Sequence, residues 1–172
     1  MIVRQLRLVL AKQPTPRTMA GVRLRTYAGE ADTAAWLEVR RRAFADEAVG
    51  VGAWGPADFD REFLAQPWWR PDRLWLAETA PIDCQPPSVI GTVALMERGT
   101  SARTRWSIHW LAMVPEWRGR GIGRLLLDTA HRAAWDAGGR EVWAETHAAW
   151  IAANRLYEAA GYRLGRPTGD NG

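Results

Sequence analysis

Cysteine and lysine are nearly missing from this chain of 172 residues: Cys84 and Lys12 are the only ones. A single cysteine excludes a disulfide framework within the chain and fits a reducing, cytoplasmic setting. Cys84 lies in the Pro-rich stretch 81–87 with no histidine near it in sequence, which leaves it weak as a nucleophile. No apolar run reaches the roughly 20 residues that a membrane helix needs. Residues 1–12 mix Arg4 and Arg7 with leucines, but the apolar run is too short for a signal peptide and no cleavage pattern follows.

What is present points to one globular domain. The chain is 47% hydrophobic and holds eleven tryptophans, which excludes a disordered chain. The net charge of +4 rests almost wholly on arginine. Excess basic charge admits nucleic acid as a partner. The arginines are scattered, however, and no helix-turn-helix or aromatic-basic pattern stands out, so that partner is the less favoured alternative.

Periodicity divides the chain into residues 1–20, an extension that Pro14 and Pro16 set apart, a domain over 21–165, and a polar tail over 166–172. Residues 1–18 read as external to the fold or as the product of an upstream start. Strands are expected at 22–27, 73–78, 89–97, 105–114, 140–146 and 162–164, from alternation and flanking breakers. Helices are expected at 30–45, 56–65, 121–137 and 148–160. Ile122, Leu126, Ala130, Ala133 and Ala137 form the apolar stripe of the third.

The run Val114-Pro115-Glu116-Trp117-Arg118-Gly119-Arg120-Gly121-Ile122-Gly123-Arg124 joins a strand to a helix. Glycines at alternate positions let the backbone approach a ligand. Unpaired N–H groups of the helix's first turn point at the same place, where the helix dipole is positive. Such a turn suits a polyphosphate. A nucleotide-triphosphatase loop would need a Lys-Ser/Thr pair that is absent here. A dinucleotide fingerprint fails because its third glycine would fall on Arg124. The run does fit Arg-x-x-Gly-x-Gly, as Arg118, Gly121 and Gly123. It resembles the acetyl-CoA pyrophosphate loop of the GNAT acetyltransferase superfamily. The resemblance runs from about Val22 to Leu164 and is strongest from Leu111 to Tyr162. It implies an α/β (α+β) fold with a mixed, mostly antiparallel sheet, splayed at the acetyl-CoA site, and helices on both faces.

The resemblance also assigns roles. The backbone of Arg118, Gly119, Arg120, Gly121, Ile122, Gly123 and Arg124 would grip acetyl-CoA. Met113 and Val114 would offer backbone hydrogen bonds to its pantetheine arm, between residues 110–114 and 143–146. A backbone N–H near Met113 would polarise the thioester. Tyr157, in Ala153-Asn154-Arg155-Leu156-Tyr157, would face the sulfur. An ordinary tyrosine near pKa 10 donates a proton to a thiolate near 8.5 uphill by about 1.5 units, ~2 kcal/mol. The site must therefore lower that pKa, or else Tyr157 only orients the sulfur. No metal is called for.

Two departures stand out. Trp150 occupies a position where the family commonly has asparagine, so Asn154 is expected to take a pantetheine or main-chain contact. The family also closes with a further strand that this sequence does not show. That hairpin is either shortened, absent or completed by a second subunit, which leaves a homodimer open. His109 and Glu145 are the candidate general bases, each with an ordinary structural alternative; Glu78 and Glu97 are weaker. Asp46, Glu47, Asp58, Asp60 and Glu62 with Trp54, Trp68 and Trp69 suggest an acceptor pocket for a cationic amine. The expected activity is acetyl transfer to a primary amine of a small molecule or peptide by direct attack. A non-catalytic acyl-CoA sensor is the alternative.

Overall fold

The computed structural model describes residues 2–45, 52–81, 86–100 and 103–165. The expected positions of Cys84, Asp46, Glu47 and the 166–172 tail lie outside them. Among the described residues seven strands form one sheet in the order β2-β3-β4-β5-β6-β1-β7: β1 is Val3–Val9, β2 Val22–Thr26, β3 Leu74–Thr79, β4 Val89–Thr100, β5 Arg103–Met113, β6 Glu141–His147 and β7 Arg163–Leu164. Every neighbouring pair is antiparallel except β5 and β6. The helices are α1 Glu30–Ala43, α2 Pro56–Phe59, which runs on as a wider turn over Asp60–Leu64, α3 Ile122–Asp136 and α4 Ile151–Ala159.

Strand β3 is buried through five successive residues, so it carries apolar side chains on both faces. Trp75 and Ala77 join a core with Ile122, Leu126 and Ala130 of α3. Leu74 and Leu76 join Trp36 of α1 and Phe59 and Phe63 near α2. The α3 stripe is close to that expected, but it continues through Ala134, fully buried, where Ala133 is only partly covered. Asp32 ties α1 to the sheet: it accepts two bonds from Arg25 of β2, which also bonds Glu78 of β3.

The first residues correct the reading of 1–20 as an extension. Val3–Val9 is a strand of the sheet, with Leu6 and Leu10 buried. It pairs along its whole length with β6, from Val3 opposite His147 to Val9 opposite Glu141, and with the short β7 on its other edge. Among the described residues the C-terminal strand is Arg163–Leu164, and β1 of the same chain covers the edge of β6. Arg17 continues the attachment through an ion pair with buried Asp128 of α3. No helix among the described residues is long and apolar enough to cross a membrane.

Candidate active site

Strands β5 and β6 pair only from Trp106–Val142 to Ile108–Ala144 and then part. Beside the point of parting, β5 carries a bulge against β4. Thr92 faces Ala112 and Ala94 faces His109, so Val93 alone spans Trp110 and Leu111. Trp110 takes a positive φ of 49° to make it, a conformation that costs a non-glycine residue about 1–2 kcal/mol. The bulge turns the rest of β5 away from β6. A cavity of about 760 Å³ occupies the gap. Beyond the bulge, the N–H of Val114 bonds the Ile90 carbonyl on the β4 side. Successive N–H groups of a strand point to opposite edges, so that of Met113 faces the gap. Of the two expected backbone donors, Met113 keeps its N–H out of the β4 ladder and Val114 commits its own to Ile90. Gly91 makes room for this, because a Cβ there would sit 2.3 Å from the Met113 sulfur.

The gap opens onto the Gly-Arg turn. Gly119 and Gly121 have φ of 73° and 86°, and Gly121 forms the cap of α3. No backbone N–H from Gly119 to Arg124 finds a partner among the described residues; the first bond of the helix is Leu125 N–H to Gly121 O. Gly123 serves packing instead, since a Cβ would come within 2.9 Å of Leu156 of α4. Two of the three arginines are anchors. Arg118 donates to the Ala43 and Met113 carbonyls, at 2.5 and 3.3 Å. Arg124 donates to Asp128 and to the Ala159 carbonyl. Arg120 stacks on Trp117, 4.7 Å from the ring centroid. The anion site is therefore made chiefly of backbone dipoles, with the arginines shaping the turn.

Tyr157 lines the same cavity from α4 and packs edge-on against Tyr162. Burial pushes its pKa up, not down. Its hydroxyl stays protonated and is suited to donating a hydrogen bond rather than to giving up its proton. Asn154 does not line the cavity. Its amide nitrogen bonds the carbonyls of His147 and Trp150 at 2.9 and 2.7 Å, and its oxygen accepts from Arg4 of β1. Of the two expected contacts it makes the main-chain one. Trp150 fills the cavity wall against Phe44, with ring centroids 5.3 Å apart.

Both candidate bases line the cavity. Glu145 is bonded by Gln5 of β1, 2.5 Å away. His109 has Glu62 of the α2 segment 2.8 Å from Nε2, a close ion-pair distance but off the N–H axis. Glu62 also accepts from Trp110 Nε1 at 2.9 Å. The His109 contact, and after it the Trp110 bond, hold the Glu62 carboxyl below its ordinary range against the opposing effect of burial. Glu78 and Glu97 are occupied by Arg23, Arg25 and Arg73. Of the expected acceptor residues, Trp54, Trp68 and Trp69 pack against Trp36 and Phe63 instead of lining the cavity, with Arg40 stacked 3.9 Å over Trp54. Sequence reasoning grouped Glu62 with the acidic acceptor residues and had no signal for its pairing with His109, which depends on the strand bulge.

The profile of the acetyltransferase (GNAT) family matches residues 33–162. This chain belongs to the GNAT acetyltransferase family. The GNAT architecture also appears in solved structures. A GCN5-related N-acetyltransferase from Sphaerobacter thermophilus matches with a TM-score of 0.67 at 22% identity, over 95% of this chain and 48% of that one. A chain of the NatC complex bound to Gag peptide and CoA matches with a TM-score of 0.62 at 21% identity, over 81% and 82%. Among curated GNAT relatives, a mycothiol acetyltransferase of Thermobispora bispora is 32% identical over 153 residues, 87% of this chain and 49% of that protein. One of Gordonia bronchialis is 34% identical over 157 residues, 87% and 48%. The chain spans about half the length of these relatives. The GNAT family uses acetyl-CoA, and the unpartnered N–H groups of 119–124 fit its pyrophosphate.

Proposed function

We propose that this chain is an acetyl-CoA-dependent N-acetyltransferase that acts on a primary amine of a small molecule or peptide. The observation that carries the reading is the row of unpartnered backbone N–H groups from Gly119 to Arg124, set at the mouth of a gap that the Met113 N–H faces. The turn would hold the phosphates and the Met113 N–H the thioester oxygen, a contact worth about 3 kcal/mol in comparable sites. His109 would take the proton of the acceptor ammonium, with Glu62 steadying the charged ring. The amine nitrogen then bonds the acetyl carbon and the carbon–sulfur bond breaks. The second amine proton leaves with the sulfur, which departs as the CoA thiol, and the Tyr157 hydroxyl donates a hydrogen bond to that sulfur as its negative charge develops. The name of the relatives puts the acceptor used in mycothiol acetylation first among those to try. Calorimetric titration with acetyl-CoA, and with CoA beside it, tests the reading. Micromolar binding followed by amine-dependent thiol release supports it; no heat from folded protein removes it.

A further inference from the structure

Arg98 of β4 and Arg105 of β5 stand directly opposite each other in the strand register. Residues so placed are about 5 Å apart, and like charges there oppose the pairing. Residues 99–104 contain no acid, and Glu97, next to Arg98, is paired with Arg73. Ten other arginines form ion pairs. Among the described residues these two form none; other arginines without an ion pair, such as Arg40 and Arg118, are instead bonded to main-chain carbonyls. Arg98 Nε reaches only the Met96 sulfur, at 3.2 Å. Arg105 lies 3.9 Å over the Trp143 ring, and its Nη2 is 3.4 Å from Gln5 Oε1. Glu145, the acid facing the same space, takes its hydrogen bond from the other end of that Gln5 amide.

Both guanidiniums line the cavity, on the face that also presents Ser107 and His109. Four steps along the strand lead from Arg105 to His109, a span of about 13 Å. This is the end of the cavity remote from the Gly-Arg turn. Guanidinium pairs match carboxylate and phosphate in charge and in planar donor geometry. We infer that Arg98 and Arg105 form an anion subsite, so that the acceptor is an amine with a carboxylate or phosphate at its far end. The inference rests on the acetyltransferase reading for the meaning of the cavity, but its test does not need turnover.

Calorimetric titration of the CoA-loaded protein with trialanine and with trialanine amide isolates the distal carboxylate. 6-Aminohexyl phosphate replaces it by a phosphate. Wild type should bind the carboxylate form at least about tenfold more tightly than the amide, the scale of one charged hydrogen bond. R98Q/R105Q should erase that difference and keep wild-type affinity for CoA, and R105K should retain part of it. Tighter binding of the phosphate probe assigns the subsite to phosphate esters, and tighter binding of trialanine to carboxylates. Equal affinity for both trialanine forms with no binding of the phosphate probe, or a preference that survives in the double variant, overturns the subsite. Failure to bind CoA at all overturns the acetyltransferase reading itself, and the two failures are told apart by that first titration.

Discussion

Glu62 sets its carboxylate 2.8 Å from Nε2 of His109 while accepting the indole N–H of Trp110. One acid thus touches both the candidate base and the residue at the strand bulge. His109→Gln should lower kcat by about a hundredfold or more, the usual range for general-base loss. Glu62→Gln keeps an acceptor for Trp110 but removes the charge beside the imidazole. It should lower kcat less than His109→Gln, leave acetyl-CoA affinity unchanged, and add little in the double variant. Full additivity in steady-state kinetics would separate the two residues.

Tyr157 should act by hydrogen bonding alone, because burial raises its pKa. Tyr157→Phe should cut kcat by roughly 10-fold or more, the worth of a hydrogen bond to a charged group. Acetyl-CoA affinity and the alkaline limb of the pH–rate profile should stay where they are. A lost alkaline limb would mean that the phenol does transfer its proton.

Gly121→Glu should abolish acetyl-CoA binding, since it places bulk and negative charge among the unpartnered N–H groups of residues 119–124. Gly121→Ala is the control. It carries only the backbone strain of a positive φ, about 1 kcal/mol of stability, and leaves the charge untouched. Titration of both variants with acetyl-CoA separates strain from repulsion.

His131 of α3 contacts the Tyr162 hydroxyl at 2.8 Å and is buried. Burial is the main cause that lowers its pKa to about 4. The unfolded chain binds that proton near pH 6.5, so stability falls as pH drops from about 6.5 towards 4, by about 1.4 kcal/mol per unit. Urea unfolding at pH 6.5, 5.5 and 4.5 should show this slope in wild type. His131→Gln should flatten it.

Leu6 lies opposite Ala144 on one edge of its strand and Leu164 on the other. Leu6→Ala should destabilise by about 2–5 kcal/mol, the range for buried leucines. Removing residues 1–10 should expose the edge of β6 and produce aggregation, visible by light scattering. A truncated protein that does not aggregate and keeps its melting temperature would return those residues to the status of an extension.

The parts legible in the sequence are those whose meaning is local. The Gly-Arg turn, the α3 stripe and Tyr157 sit within a few residues of the signals that announce them. The place of Val3–Val9 was not legible, because its partners in β6 and β7 come at the other end of the chain and alternation alone does not name a partner. The roles of Arg118, Arg124 and Asn154 were also hidden. Each carries donors that suit a ligand, and only the fold shows carbonyls taking them. The Val114 N–H bond to Ile90 was hidden for a related reason: strand register, not residue type, decides which edge an N–H faces.

The interior position of β1 has a consequence for synthesis. Once made, β1 waits for its partner β6 until ~130 further residues have been added, on the order of ten seconds at ~5–20 residues per second. During that time its leucines and unpaired backbone stay available to chaperones or to another nascent chain. Codon changes that slow elongation before Glu141 should therefore lower the soluble yield of a protein whose finished structure they leave untouched.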